Sequence, residues 1–460
     1  MASNDEALHV VMFPYFAFGH INPFVQLSNR LCAHGVKVSF LSAPGNISRI
    51  QSTMKLTPEA EIIPIPIPEI EGLPPGFDST ADMTPAMAEI LKQAIDLLQP
   101  QISSLLSQLK PQFVIFDFAQ HWVPKVASEL GIKTLRFSIF ATISDAYVMV
   151  PPRQKSNTID DLVRAPNGFP SDNNIALKEF EARDFLYVFM SFHGKPSVYE
   201  RVLECLNGCT AIANRSCIEM EGPYVDFMKT QFQKPVLLTG PLVPESPVGD
   251  IGHKWSKWLG GFPAKSVIYC AFGSESFLSK EQIRELALGL ELTGLPFLLV
   301  LNFPKNTNAE TELANVLPDG FMERIGDKGV VHAGWVHQHL VLAHQSVGCF
   351  VTHVGYSSLI EGLLNDCQLV LLPMKGDQFV NSKLVAWDMR AGVEVKRRED
   401  NGYFSKADVV EAVNTVMVED DKEPGVSIRA NQNRWRDFLL NKEIQNKYIA
   451  DLVQRLKALA

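Results

Sequence analysis

Nowhere does this 460-residue chain approach the ~20 consecutive apolar residues that a membrane-spanning helix needs, so no integral membrane segment is expected. A secretory leader is not expected either. Residues 1–7 are polar and carry no Lys or Arg, and Pro14 interrupts the apolar run that follows. Basic surplus is missing: 42 Lys and Arg against 51 Asp and Glu leave a net charge of −9, which disfavours nucleic acid as a partner. Cysteine is scarce, and the seven present are an odd number scattered along the chain, which is no disulfide framework. A cytoplasmic protein with reduced thiols is therefore expected, and nothing in the pattern calls for more than a monomer. Two phosphate-binding motifs are also lacking. Without G-x-G-x-x-G or G-x-x-x-x-G-K-[ST], a Rossmann oxidoreductase and a P-loop ATPase are disfavoured.

What the chain does have is an apolar content of 46% and enough length for two domains. Short continuous apolar runs at 8–13, 36–41, 61–66, 113–116 and 134–137 suit buried parallel strands, and stretches of helical spacing separate them. One helix is expected over 21–34, starting at Asn22 with Pro23 in its first turn and ending before Gly35; another over 84–109. After the proline-rich joint Gly240-Pro-Leu-Val-Pro-Glu-Ser-Pro-Val-Gly-Asp250 the alternation resumes, with strands expected at 266–272, 297–301, 329–332, 348–352 and 369–372. Ser279-Lys-Glu-Gln282 reads as a capping box opening a helix. The fold class is α/β, two Rossmann-like domains: 1–243, a linker at 244–254, and 255–440, followed by an amphipathic helix over 441–460 expected to pack back on the first domain.

In parallel sheets ligands bind at the carboxyl ends of the strands. His20 falls in the loop after the first strand and Asp117 directly after the strand 113–116, so an imidazole and a carboxylate share one sheet edge. Either alone more often caps a helix or solvates a loop. Together they suit proton abstraction, the carboxylate fixing the ring tautomer and stabilising the imidazolium. The histidines 332, 337, 339 and 344 crowd together in sequence but offer no open ligand triad, and no metal is expected.

The stretch from Trp335 to Gln378 reads WVHQHLVLAHQSVGCFVTHVGYSSLIEGLLNDCQLVLLPMKGDQ. Through Trp335, Gln338, Leu342, His344, Phe350, His353, Gly355, Ser358, Glu361, Pro373, Asp377 and Gln378 it resembles the donor-binding signature of plant family 1 UDP-dependent glycosyltransferases. Phe18-Gly-His-Ile-Asn-Pro23 is similar to that family's catalytic-histidine segment, and Phe272-Gly-Ser274 to its phosphate loop. The resemblance implies a GT-B fold, two facing Rossmann-like domains with a cleft between them, and inverting transfer from a UDP-sugar. In that scheme His20 and Asp117 are catalytic. Ser274, Trp335, Gln338, His353, Gly355, Ser357, Ser358, Glu361, Asp377 and Gln378 bind the donor, a co-substrate rather than a cofactor. The residue types suit those tasks: an indole stacks on uracil, a carboxylate accepts from ribose hydroxyls, an imidazole and hydroxyls at a helix N-terminus meet diphosphate, and Asp-Gln grips sugar hydroxyls.

Tyr356 and Ser357 stand where the family usually has Trp-Asn, and Asp366 and Gln368 replace its usual Gly and Pro. With Phe116-Asp-Phe-Ala-Gln-His-Trp122 these departures resemble the branch that adds glucose, rhamnose or xylose to the sugar of a flavonoid, phenylethanoid or terpenoid glycoside. Ser138 and Thr142 are the polar candidates for choosing among the sugars, and Phe16, Phe118 and Phe140 the candidate acceptor walls. The alternatives are transfer directly to an aglycone and a UDP-sugar-binding protein without activity; retention of both His20 and Asp117 disfavours the second.

Overall fold

Runs such as His-Val-Val-Met-Phe, apolar at consecutive positions, are stable as strands only when both sheet faces are covered, and here both are. The structure, a computed structural model, describes residues 7–80, 83–170, 175–245, 249–273, 276–303, 307–419 and 421–460. Its first sheet contains β1 (His9–Phe13), β2 (Lys37–Ser42), β3 (Ala60–Pro64), β4 (Phe113–Phe116), β5 (Lys133–Ser138), β6 (Ala211–Asn214) and β7 (Val236–Leu238) in the order β3-β2-β1-β4-β5-β6-β7. The second contains β8 (Val267–Ala271), β9 (Phe297–Leu301), β10 (Gly329–Ala333), β11 (Val347–Thr352), β12 (Gln368–Leu371) and β13 (Gly392–Glu394) in the order β10-β9-β8-β11-β12-β13. All strand pairs are parallel. In each sheet the order reverses beside its first strand, between β1 and β4 and between β8 and β11. Those two points are where doubly wound sheets open a crevice.

Local readings needed three corrections. The first helix is Phe18–Cys32, four residues earlier than Asn22: the Ala17 carbonyl accepts from the amides of both His20 and Ile21, and Pro23 sits inside the helix. A proline there sacrifices only the bond toward the Gly19 carbonyl, which the packed apolar face outweighs. The stretch 84–109 is two helices, Pro85–Asp96 and Gln99–Leu109, because Pro100 lacks the amide that would bond back to Asp96. Finally β6, β7 and β13 are too short for their apolar pattern to stand out from a loop. The capping box forms as Ser279 at the start of the helix Lys280–Leu292.

The last helix, Lys442–Leu459, returns to the first sheet. Ile449, Leu452, Val453 and Leu456 share a core with Val10, Met12, Leu31, Phe113 and Phe137. All seven cysteines are buried and none is in a disulfide. Among the described residues no helix is long and apolar enough to cross a membrane.

Candidate active site

β1 and β4 run side by side with Phe13 opposite Phe116, so the segments leaving their carboxyl ends emerge together. His20 lies in the first turn of the helix Phe18–Cys32 rather than in the loop before it, and its Nδ1 is 2.7 Å from Asp117 Oδ2. The buried Asp117 carboxylate also accepts from the amides of Tyr15 at 3.1 Å and Phe118 at 2.7 Å. Burial works to raise its pKa, but His20 and the two amides outweigh that and hold it below the ordinary carboxylate value. An ionised carboxylate only accepts, so Nδ1 carries the ring proton and Nε2 is left with a lone pair. The edges and faces of Tyr15, Phe118 and Phe140, at centroid distances of 5.4, 5.4 and 5.6 Å, wall the imidazole. A base with an oriented, desolvated ring results.

The other proposed residues of this half divide. Phe118 is buried with its ring tilted beside the imidazole, and Phe140 is half-buried against it, whereas Phe16 is fully buried on Phe13. Ser138, the last residue of β5, is buried with a hydroxyl that has no partner. Thr142 is fully buried and its hydroxyl accepts from Asn214 at 3.0 Å. Both hydroxyls are thus buried, and their exposure depends on which elements cover the strand end.

At the second reversal, Gly273 follows β8 and His353 follows β11; Ser274 lies outside the described residues. Gly273 has φ +69°, and a Cβ there would stand 2.8 Å from His353 Nε2; a Cβ at Gly355 would stand 2.7 Å from the same atom. Two glycines thus cradle one ring. Burial, reinforced by Lys375, lowers the His353 pKa to about 4, so the ring is neutral and its Nδ1 is buried without a partner. Val354, β-branched and fully buried, holds φ +64°, a strained conformation for such a residue. The helix Tyr356–Leu364 starts from this turn and presents Ser357 and Ser358 in its first turn.

Gln338 Nε2 donates to Ser358 Oγ at 3.0 Å and to Glu361 Oε2 at 2.8 Å, bracing a serine and a carboxylate one helical turn apart. Burial raises the Glu361 pKa, while Gln338 and Arg215 oppose it. Trp335 is 68% exposed, its ring in a T-shaped pair with His337 at a centroid distance of 4.1 Å. Asp377 and Gln378 begin the helix Asp377–Lys383. Gln378 Oε1 accepts from the amides of Met374 and Lys375, which leaves its NH2 as a donor. Asp377 is pushed up to about 6 by burial, against Asn381, Lys375 and, from the first sheet's side, His20. The Asp377 carboxylate of the second half thus feels the charge of the His20 ring of the first. Among the described residues no cluster of His, Cys, Asp or Glu is arranged for a metal ion.

Four residues here escaped sequence reasoning. Asn381 bonds Val354 O, Asp377 Oδ2 and Ser144 Oγ; Arg215 bonds Ser357; Asp184 Oδ2 accepts from the Gly376 amide at 2.6 Å. Ser144, Asp184 and Arg215 reach over from the first half. Only Asn381 left a signal, one helical turn after Asp377.

Residues 249–426 match the family model described as UDP-glucoronosyl and UDP-glucosyl transferase. Over its whole length the chain is 55% identical to the anthocyanidin-3-O-glucoside rhamnosyltransferase of Petunia hybrida, covering 98% of that protein, and 56% identical to UDP-glycosyltransferase 79A6 of Glycine max, covering 99%. The chain belongs to the plant UDP-glycosyltransferases. Its fold matches the crystal structure of Glycyrrhiza uralensis UGT73P12 complexed with glycyrrhetinic acid 3-O-monoglucuronide, at TM-score 0.80 and 22% identity over 98% of this chain and 96% of that one. Arabidopsis thaliana UGT89C1 complexed with UDP-L-rhamnose matches at TM-score 0.75 and 23% identity, covering 98% and 99%. The transferase thus has the GT-B fold, two doubly wound sheets facing a cleft, and its donor is a UDP-sugar.

Proposed function

We propose that this transferase moves rhamnose from UDP-rhamnose to a hydroxyl on the sugar of a flavonoid-type glycoside, with inversion at the anomeric carbon. The observation that carries the reaction is the His20–Asp117 pair, in which the bond at Nδ1 leaves the Nε2 lone pair to act as the base. His20 takes the acceptor hydroxyl's proton through Nε2 as the oxygen forms its bond to the anomeric carbon. The bond from that carbon to the UDP oxygen breaks on the opposite face, and UDP leaves with the electron pair. Asp117 stabilises the imidazolium. The His353 ring N–H, the Ser357 and Ser358 hydroxyls and the amides of their helix turn receive the charge on the diphosphate. Trp335 stacks on uracil, Glu361, braced by Gln338, accepts from the ribose, and Asp377 with the Gln378 amide holds the sugar. Residues 1–243 form the acceptor half and 255–440 the donor half.

Rhamnose is favoured by two observations. The relative whose name specifies a rhamnosyltransferase is 55% identical to this chain, against 42% for a xylosyltransferase of Actinidia chinensis and 39% for a glucosyltransferase of Ipomoea purpurea. Beside His20 the wall is the half-buried Phe140 ring, while the Ser138 and Thr142 hydroxyls are buried. An apolar wall suits the methyl of a 6-deoxy sugar better than a hydroxymethyl group. UDP-rhamnose, UDP-glucose and UDP-xylose supplied together with an anthocyanidin 3-O-glucoside and its aglycone would test this by product mass. Rhamnosyl transfer to the glucoside is expected, falling roughly 10³-fold in His20→Ala. Predominant glucosylation, preference for the aglycone, or near-normal turnover in His20→Ala would overturn the respective element of the proposal.

A further inference from the structure

Arg215 follows β6 and is 1% exposed, yet among the described residues no carboxylate pairs with it. Its Nε donates to the Pro241 carbonyl at 3.0 Å, its Nη1 to Ser357 Oγ at 2.8 Å, and its guanidinium lies 5.3 Å from the centroid of the Tyr356 ring. Glu361 feels this charge without making an ion pair with it, and burial lowers the arginine's pKa. A guanidinium stays charged at any physiological pH, and burying one without a counter-ion is costly. Such a group persists where an anion is due to arrive.

The hydrogen bond to Ser357 says where. The serine oxygen accepts from a cation, so its own O–H must point away from Arg215, and the cation polarises that O–H into a stronger donor. Ser357 is exposed at the N-terminal turn of the helix Tyr356–Leu364, beside Ser358 and just beyond the His353–Gly355 turn with its unpartnered imidazole nitrogen. Tyr356 and Ser357, the two residues that meet Arg215, are also the two at which this chain departs from the family's usual Trp-Asn.

We propose that Arg215 is a positioning residue for the donor's diphosphate, acting through Ser357 and supplying a positive charge from the acceptor half. It rests on the assignment of the second sheet's cleft edge as the UDP site. The leaving UDP then meets full charge stabilisation only while the two halves are in contact through this bond. That makes departure of the nucleotide dependent on closure.

The test is calorimetry with uridine, UMP and UDP on the full chain, comparing wild type with Arg215→Met, Ser357→Ala, Ser357→Asn and Trp335→Ala. Arg215→Met and Ser357→Ala should weaken UDP about tenfold and UMP about threefold and leave uridine unchanged, because the effect follows phosphate charge. Ser357→Asn, which offers its own N–H, should regain most of the UDP affinity. Ser357→Ala removes a small exposed side chain together with one partner of the buried guanidinium, so UDP affinity untouched in it counts against the proposal even where Arg215→Met destabilises the fold. Equal weakening of uridine and UDP, or UDP affinity untouched in Ser357→Ala, would overturn the role of Arg215. If Trp335→Ala instead left all three ligands binding as in wild type, the assignment of the UDP site itself would fall.

Discussion

Asn381 commits every polar atom of a fully buried amide. Nδ2 donates to the Val354 carbonyl at 3.0 Å and to Asp377 Oδ2 at 2.9 Å, and Oδ1 accepts from Ser144 at 3.2 Å. One side chain thus holds the strained turn after β11, the carboxylate proposed for the sugar, and the opposite half of the molecule. Asp377 also faces Lys375 on its own loop and His20 from the first half. The neighbouring acids are engaged elsewhere, Asp145 with Arg136 and Asp184 with the Gly376 amide. Since burial sets the Asp377 pKa to about 6, the carboxylate loses acceptor capacity as pH falls through that value. UDP-sugar should accordingly bind with its full advantage over UDP above about pH 6 and lose that advantage below it. Asn381→Ala removes a hydrogen bond that favours the ionised form, which raises the Asp377 pKa further. The loss should then begin at higher pH, and the difference between UDP-sugar and UDP affinity measured against pH checks it. An unmoved midpoint would mean that Asn381 only packs.

The turn between β11 and the helix Tyr356–Leu364 works as a unit with the glycine after β8. Gly273 and Gly355 both leave room for the His353 ring, but for different backbone reasons: Gly273 sits at φ +69°, Gly355 at an ordinary φ of −60°. An alanine at Gly273 meets a clash and a left-handed backbone together, costing roughly 1–2 kcal/mol from the backbone alone. An alanine at Gly355 meets only the ring, 2.7 Å away. Gly273→Ala is therefore expected to lower both the melting temperature and UDP affinity, and Gly355→Ala mainly UDP affinity. In a His353→Ala background Gly355→Ala should cost nothing further. Thermal melts beside UDP titrations of the single and double variants would show whether displacing the ring is the shared cause.

At the scale of the whole molecule, the chain's last helix stabilises its first sheet. Leu456 is fully buried among first-sheet residues, whereas Leu459 only borders them. Leu456→Ala should cost roughly 2–5 kcal/mol, a large part of a typical domain's stability, and Leu459→Ala much less. Because the proposed UDP site lies on the second sheet, uridine should still bind Leu456→Ala at temperatures where its first half has begun to open. Hydrogen exchange resolved by segment would detect loss of protection in β1 and β4 before β8 and β11; simultaneous loss would mean the halves unfold as one body.

The elements were legible from residue order because their causes are local. A buried parallel strand must be apolar at consecutive positions, and the runs at 113–116 and 297–301 coincide with β4 and β9 to the residue. His20 and Asp117 could be paired on paper because each follows a strand, and parallel strands of one sheet release their chains at a common edge. The family membership was carried by the spacing of Trp335 to Gln378. What tertiary structure alone decided are contacts between residues far apart: Arg215 with Ser357 across 142 positions, Asp184 with Gly376 across 192, Ser144 with Asn381 across 237. The burial of Ser138 and Thr142 belongs here too, since a hydroxyl at a strand end or helix start faces cleft or core according to the element packed over it. Local preferences encode which backbone a segment adopts, and even there packing moved the first helix back to Phe18. The partner of a side chain depends on the order in which strands assemble, and no window of sequence contains that order.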